Sequence, residues 1–106
     1  MRRAKVYFKD ELAGYLLDAD DHFEFVYEEG YLSSGPAISV TLPLQREPFL
    51  STRLFPFFDG LIVEGWLLEN AKRNWKIDDN DRMGLLLLVG KDCIGAVSVE
   101  GERSDG

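Results

Sequence analysis

His22-Phe23-Glu24-Phe25-Val26-Tyr27 places Phe23, Phe25 and Tyr27 on one side of an extended chain and His22, Glu24 and Val26 on the other. An aromatic at every second position is the signature of a β-strand with one face in a core and the other toward water. Upstream, Val6-Tyr7-Phe8 and Leu12-Ala13-Gly14-Tyr15-Leu16-Leu17 are two further strand-like runs, separated by Lys9-Asp10-Glu11, a polar link of hairpin length. The polar cluster Asp18-Ala19-Asp20-Asp21 connects the second run to the alternating one, so three consecutive antiparallel strands form a meander. Gly30 to Pro36 reads as loop. Ile38-Ser39-Val40-Thr41-Leu42 then alternates again, before Pro43, which cannot donate to a ladder, ends it. This run reads as a fourth strand.

From Leu54 the period changes. At about 100° per residue, Leu54, Phe57, Phe58, Leu61, Gly65, Leu68, Ala71 and Trp75 fall within one arc, which predicts helix lying on the sheet. Gly60 and Gly65 each cost up to about 1 kcal/mol relative to alanine in a helix interior, so a break or turn is expected near them. Asp78 or Asp79 offers an N-cap for the run Asp81 to Val89, which Gly90 stops. Ile94-Gly95-Ala96-Val97-Ser98-Val99 reads as a last strand. The expected order is β-β-β-β-α-α-β. It describes an α+β domain with a mainly antiparallel sheet of about five strands and two or more helices on one face or end. Residues 1–100 are expected to form this single domain and 101–106 a flexible C-terminal tail.

The chain's 106 residues allow one core, and its 45% hydrophobic and 12% aromatic content is enough to offset ordering entropy. Twelve Lys and Arg against nineteen Asp and Glu give a net charge of −7, the wrong sign for neutralising phosphates, so direct nucleic-acid binding is not expected. The asymmetry is local. Four of the twelve basic residues lie in the first nine positions, whereas Asp10 to Gln45 holds eight acidic residues and no Lys or Arg. That stretch is either solvated strand edges and turns or a surface that steers a basic partner. No uninterrupted apolar run of about 18 residues occurs and Val6-Tyr7-Phe8 is no signal core, so neither a membrane span nor secretion is expected. A lone Cys93 and a lone His22 suit a reducing, cytoplasmic setting and supply no set for a closed zinc site.

No stretch of the chain carries a complete catalytic motif. Gly60 and Gly65 have P-loop spacing, but Trp66-Leu67 stands where Lys-Ser/Thr would hold phosphate and magnesium. Asp78-Asp79-Asn80-Asp81 begins like a calcium loop, yet the sixth and twelfth positions are Met83 and Val89 instead of Gly and Glu. Glu24, Glu28, Glu29 and Glu64 are carboxylates with nothing to fix a pair at catalytic separation. The residues thus read as a binding or interaction module: no catalytic residues, no cofactor and no metal are expected. One residue stands apart. Trp66 falls roughly 80° from Phe58 on a helical wheel, on the flank shared by Ile62, Glu69 and Arg73. It either covers a corner of the sheet or serves as an interface anchor.

Phe57-Phe58-Asp59-Gly60-Leu61-Ile62-Val63-Glu64-Gly65, followed by Leu87-Leu88-Val89-Gly90-Lys91-Asp92-Cys93-Ile94-Gly95-Ala96-Val97, resembles the N-terminal subdomain of HipA-type serine/threonine kinases. That family carries Phe-Phe-x-x-Leu-Leu-Pro-Glu-Gly and then Val-Gly-x-Asp-x-x-Gly-Ala. Val6-Tyr7-Phe8, Gly14, Phe23 to Tyr27 and Leu42-Pro43-Leu44 agree as well, so the likeness spans about residues 4 to 100. Ile62-Val63 replaces the usual Leu-Pro, removing the bend that proline would impose. In HipA the subdomain is fused to a catalytic body, which these 106 residues do not include. A free-standing copy is similar to the HipS subunits of tripartite HipBST toxin–antitoxin systems. There a shorter HipA-like kinase, HipT, lacks this domain, and HipB carries the DNA-binding helix-turn-helix.

The resemblance implies an antitoxin that binds and inhibits a HipT-like kinase, in a ternary complex with a HipB-like protein. The residues expected at the kinase are Trp66, Glu64, Ile62, Glu69 and Gly65, inserted at or near the active site. The alternative is an assembly module that links the kinase to a HipB-like repressor without inhibiting it.

Overall fold

The computed structural model describes residues 2–62, 82–89 and 96–102, and its central strands are built as the alternation demands. Strand β1 (Arg2–Phe8) pairs antiparallel with β2 (Glu11–Asp18), and β2 with β3 (Phe23–Tyr27). Leu16 stands opposite Phe25, and Gly14 opposite Tyr27. The first hairpin turns on two residues, Lys9 (φ 50°) and Asp10 (φ 69°), both left-handed, the geometry whose twist matches that of paired strands. Between Val6 and Tyr7 the register shifts, leaving Ala13 as the extra residue of a bulge whose carbonyl accepts from Glu28 N–H at 2.7 Å. Beside it, a Cβ at Gly14 would lie 2.4 Å from the Val26 carbonyl oxygen, so the close approach of the two backbones requires glycine there.

Strands β4 (Phe49–Ser51) and β5 (Val97–Glu102) complete an antiparallel sheet in the order β4-β3-β2-β1-β5. Three helices accompany it among the described residues: α1 (Glu29–Leu32), α2 (Pro56–Ile62) and α3 (Arg82–Val89). Helices α2 and α3 pack on each other, and α3 also meets β5. One cluster joins the inward sheet residues Val6, Leu16, Phe25 and Val99 to Phe58, Ile62, Leu85 and Leu86 of the helices. Phe25 is its hub, with ring centroids 4.9 Å from Tyr27, 5.6 Å from Phe58 and 6.3 Å from Phe49. The architecture is the expected α+β domain with a five-stranded antiparallel sheet.

Several local expectations are corrected. Ile38 to Leu42 is not a strand; it makes one isolated bridge, Ser39 with Leu42, and closes a turn through Leu42 N–H to the Ser39 carbonyl at 3.0 Å. Its backbone groups are satisfied elsewhere, because the buried Tyr27 hydroxyl donates to the Leu42 carbonyl and accepts from Ile38 N–H at 3.0 Å. The fourth strand is Phe49–Ser51, where Phe49 stands opposite Phe25 and stacks near it. Part of the expected loop is a single helical turn, α1, capped by the Glu28 carboxylate accepting from Tyr31 N–H at 3.2 Å. Among the described residues the element order is therefore β-β-β-α-β-α-α-β. Gly60 sits inside α2, with open space where a Cβ would be. The last strand is described from Val97, the expected Ile94 and Gly95 lying outside the described residues, and it runs through Gly101 and Glu102, opposite Ala4 and Arg3, two residues into the segment expected as tail.

Burial pushes the Tyr27 phenol pKa up, which keeps its hydroxyl protonated and able to donate. Tyr27→Phe removes one hydroxyl but leaves both the Ile38 N–H and the Leu42 carbonyl short of a partner. A loss of about 1–3 kcal/mol is expected, read as a fall in the urea midpoint with an unchanged denaturant slope.

Candidate functional site

Helix α2 ends its described course at Ile62, and α3 begins at Arg82. The intervening stretch carries Glu64, Gly65, Trp66 and Glu69, so these four expected contact residues lie outside the described residues. The two helices are tied to each other. Arg82 donates from Nε to Asp59 Oδ1 at 2.7 Å, and its Nη2 lies 2.7 Å from the same oxygen. Both side chains are only part-exposed, and the pair spans 23 positions of sequence.

Ile62, the fifth expected contact residue, is 1% exposed and belongs to the hydrophobic core. The helical wheel set it on the flank with Trp66; in the structure Phe58 and Ile62, four apart, are the buried residues of α2. Ile62 therefore holds the end of α2 to the core and offers no surface to a partner.

Beside α2 and α3, at the end of the sheet, lies a cleft of about 500 Å³. The start of β1 gives it Arg2, the end of β2 Asp18, the β2–β3 turn His22, the segment after β4 Arg53, and the two helices Asp59 and Arg82. Phe23, Leu54 and Met83 supply its apolar lining. Arg2 Nη2 donates to Asp18 Oδ2 at 2.7 Å, while Asp18 Oδ1 accepts the Asp20 backbone N–H at 3.1 Å. Sequence reading missed this cleft, since its ion pairs join residues 16 and 23 positions apart and leave no local signature.

His22 is clamped by two carboxylates, with Nδ1 2.6 Å from Asp21 Oδ1 and Nε2 3.3 Å from Glu24 Oε2. Hydrogen bonds to Asp21 and then Glu24 raise the His22 pKa above its ordinary 6.5, and the His22 hydrogen bond lowers that of Asp21 below 3.8. The clamp's stabilisation is fully present below pH 6.5 and is lost as pH rises through the elevated His22 value. On the acid side it is lost as pH falls from 3.8 through the depressed Asp21 value. A pH series of urea midpoints should show the alkaline fall, and His22→Gln should flatten it; identical profiles would remove the clamp from the stability account.

Among the described residues, no group of three or more His, Cys, Asp or Glu side chains is placed to hold a metal ion. No described helix is long and apolar enough to cross a membrane.

The family model of the HipA N-terminal domain matches residues 4–100. The chain belongs to the HipA N-terminal domain family. A solved structure described as the N-terminal domain of HipA toxin superposes with a TM-score of 0.78 at 31% identity, covering 99% of this chain and 96% of that one. A protein of Haemophilus influenzae (strain Rd), described as uncharacterized, is 34% identical over 103 residues, 97% of this chain and 95% of its own length. The fold also matches a chain in the complex of Shewanella oneidensis MR-1 HipA, HipB and operator DNA, with a TM-score of 0.74 at 22% identity. That match covers 97% of this chain but 24% of the other. The five-stranded sheet with its helices is thus the HipA N-terminal fold.

Proposed function

We propose that this HipA N-terminal domain is an antitoxin subunit of the HipS kind, which binds a separate HipA-like serine/threonine kinase of the HipT type and inhibits it. The observation that carries the reading is the match to the HipA N-terminal domain over residues 4–100. In the Shewanella chain of the same fold, such a domain is about a quarter of the polypeptide. A domain that accompanies a larger body keeps a surface shaped for it, and a separate copy can use that surface on a separate kinase.

In this reading Trp66 is the anchor, and Glu64, Gly65 and Glu69, its neighbours in sequence, join it at the kinase. A buried aromatic anchor at an interface typically contributes about 2–4 kcal/mol. Entering at or near the nucleotide cleft, it blocks closure, and the acidic neighbours pair with the basic groups a kinase uses to hold phosphate. The Asp59–Arg82 pair joins the two helices that flank the Trp66 segment in sequence, and the buried Ile62 fixes the end of α2. A HipB-like helix-turn-helix protein completes a ternary complex in the cytoplasm and makes the DNA contacts, which a domain of charge −7 is ill suited to make.

Co-expression tests the proposal. The kinase together with this chain alone should permit growth. Continued toxicity would overturn inhibition and leave a linker between the kinase and a HipB-like repressor as the role.

A further inference from the structure

We propose that the cleft between the sheet end and helices α2 and α3 is a binding site for an organic oxyanion, a phosphate or carboxylate carried on a small apolar body, with Arg53 as its main charge partner. The proposal rests on a count of donors and acceptors. Among the carboxylates lining the cleft, Asp18 spends one oxygen on Arg2 and the other on the Asp20 backbone N–H. Asp59 accepts from Arg82, and Asp20 has a partner of its own. Both ring nitrogens of His22 are already turned to Asp21 and Glu24.

Arg82 and Arg53 are less committed. Each carries five N–H donors. Arg82 aims two of its nitrogens at a single Asp59 oxygen. Arg53 is exposed, is held through its backbone N–H to Ser51 Oγ at 3.2 Å, and forms no ion pair among the described residues. The Thr52 hydroxyl adds a further donor on the same wall. With Asp18 and Asp59 each already paired to an arginine and Arg53 in no ion pair among the described residues, the group that completes the cleft at Arg53 is an acceptor, and arginine binds planar or tetrahedral oxyanions in fork geometry.

Size and floor add the second half of the specification. About 500 Å³ is far more than an inorganic anion fills and lies in the range of small-molecule sites. Leu54 and Met83 are 6% and 1% exposed, so the floor they form with Phe23 is apolar and fixed by the core. A ligand matching both halves has an anionic head toward Arg53 and an apolar or aromatic body on that floor. Neither Ile62 nor any residue of the Trp66 segment is needed for the site.

The test is a titration of the full isotope-labelled chain with phenyl phosphate, benzoate and inorganic phosphate, following backbone amide shifts. Saturable shifts at Phe23, Thr52, Arg53 and Arg82 with a dissociation constant of about 1 mM or tighter are expected for at least one aromatic probe. Inorganic phosphate, lacking the apolar body, should bind more weakly. Phenyl phosphate binding above benzoate assigns a phosphomonoester, and the reverse order a carboxylate. Arg53→Gln, at an exposed position that leaves the fold intact, should weaken binding at least about tenfold. No saturable shift from either aromatic probe, equal binding of inorganic phosphate, or an unchanged affinity in Arg53→Gln would each overturn the proposal.

Discussion

Replacing Phe25 with alanine is expected to remove about 3–5 kcal/mol of stability, the largest loss from any single truncation in this sheet. Phe25 is fully buried and its ring touches three others, from β3, β4 and α2. Removing it withdraws the transfer energy of the ring and leaves a cavity that three elements would have to move together to fill. Domains of this size are typically stable by about 5–15 kcal/mol, so the variant should sit near the edge of folding. Urea denaturation should show a midpoint lowered by more than about 1 M. A shift worth less than about 1 kcal/mol would mean that the aromatic cluster does not organise the core.

The second large effect concerns the partner. Trp66→Ala is expected to weaken binding to the kinase roughly 30- to 1000-fold, corresponding to about 2–4 kcal/mol, while leaving the domain folded. Calorimetric titration of the variant into the kinase reads the first quantity, and thermal unfolding the second. Near-wild-type affinity would remove Trp66 from the interface. Loss of the fold would instead make Trp66 a core residue, the reading that covers a corner of the sheet.

The meander was legible because Phe23, Phe25 and Tyr27 repeat with period two and Lys9-Asp10-Glu11 is a polar link of hairpin length. The fourth strand was not. Ile38 to Leu42 has a better alternating pattern than Phe49-Leu50-Ser51, but alternation says nothing about where backbone groups find partners. The Tyr27 hydroxyl, eleven and fifteen positions away, takes the Ile38 and Leu42 groups. Phe49, next to Phe25 on the sheet, makes the shorter run the strand. The fate of Ile62 was lost for a related reason: the arc drawn through Leu54, Phe58 and Leu61 leaves Ile62 on its flank, whereas α2 buries Phe58 together with Ile62. The cleft left no trace in the sequence, because its ion pairs exist only once β1, β2, α2 and α3 have met.

The family, by contrast, was legible in ordered motifs, and the match over residues 4–100 agrees with them. Those motifs fix the fold more firmly than the contact residues, four of which lie on the segment between α2 and α3. The central claim is that this domain silences a kinase. It is tested most directly by measuring autophosphorylation of a purified HipA-like kinase lacking its own N-terminal domain, with increasing amounts of this chain. The account predicts that activity falls to background at a fixed molar ratio and that Trp66→Ala shifts the curve to far higher concentration. Undiminished activity in the presence of a large excess of bound wild-type chain would contradict it.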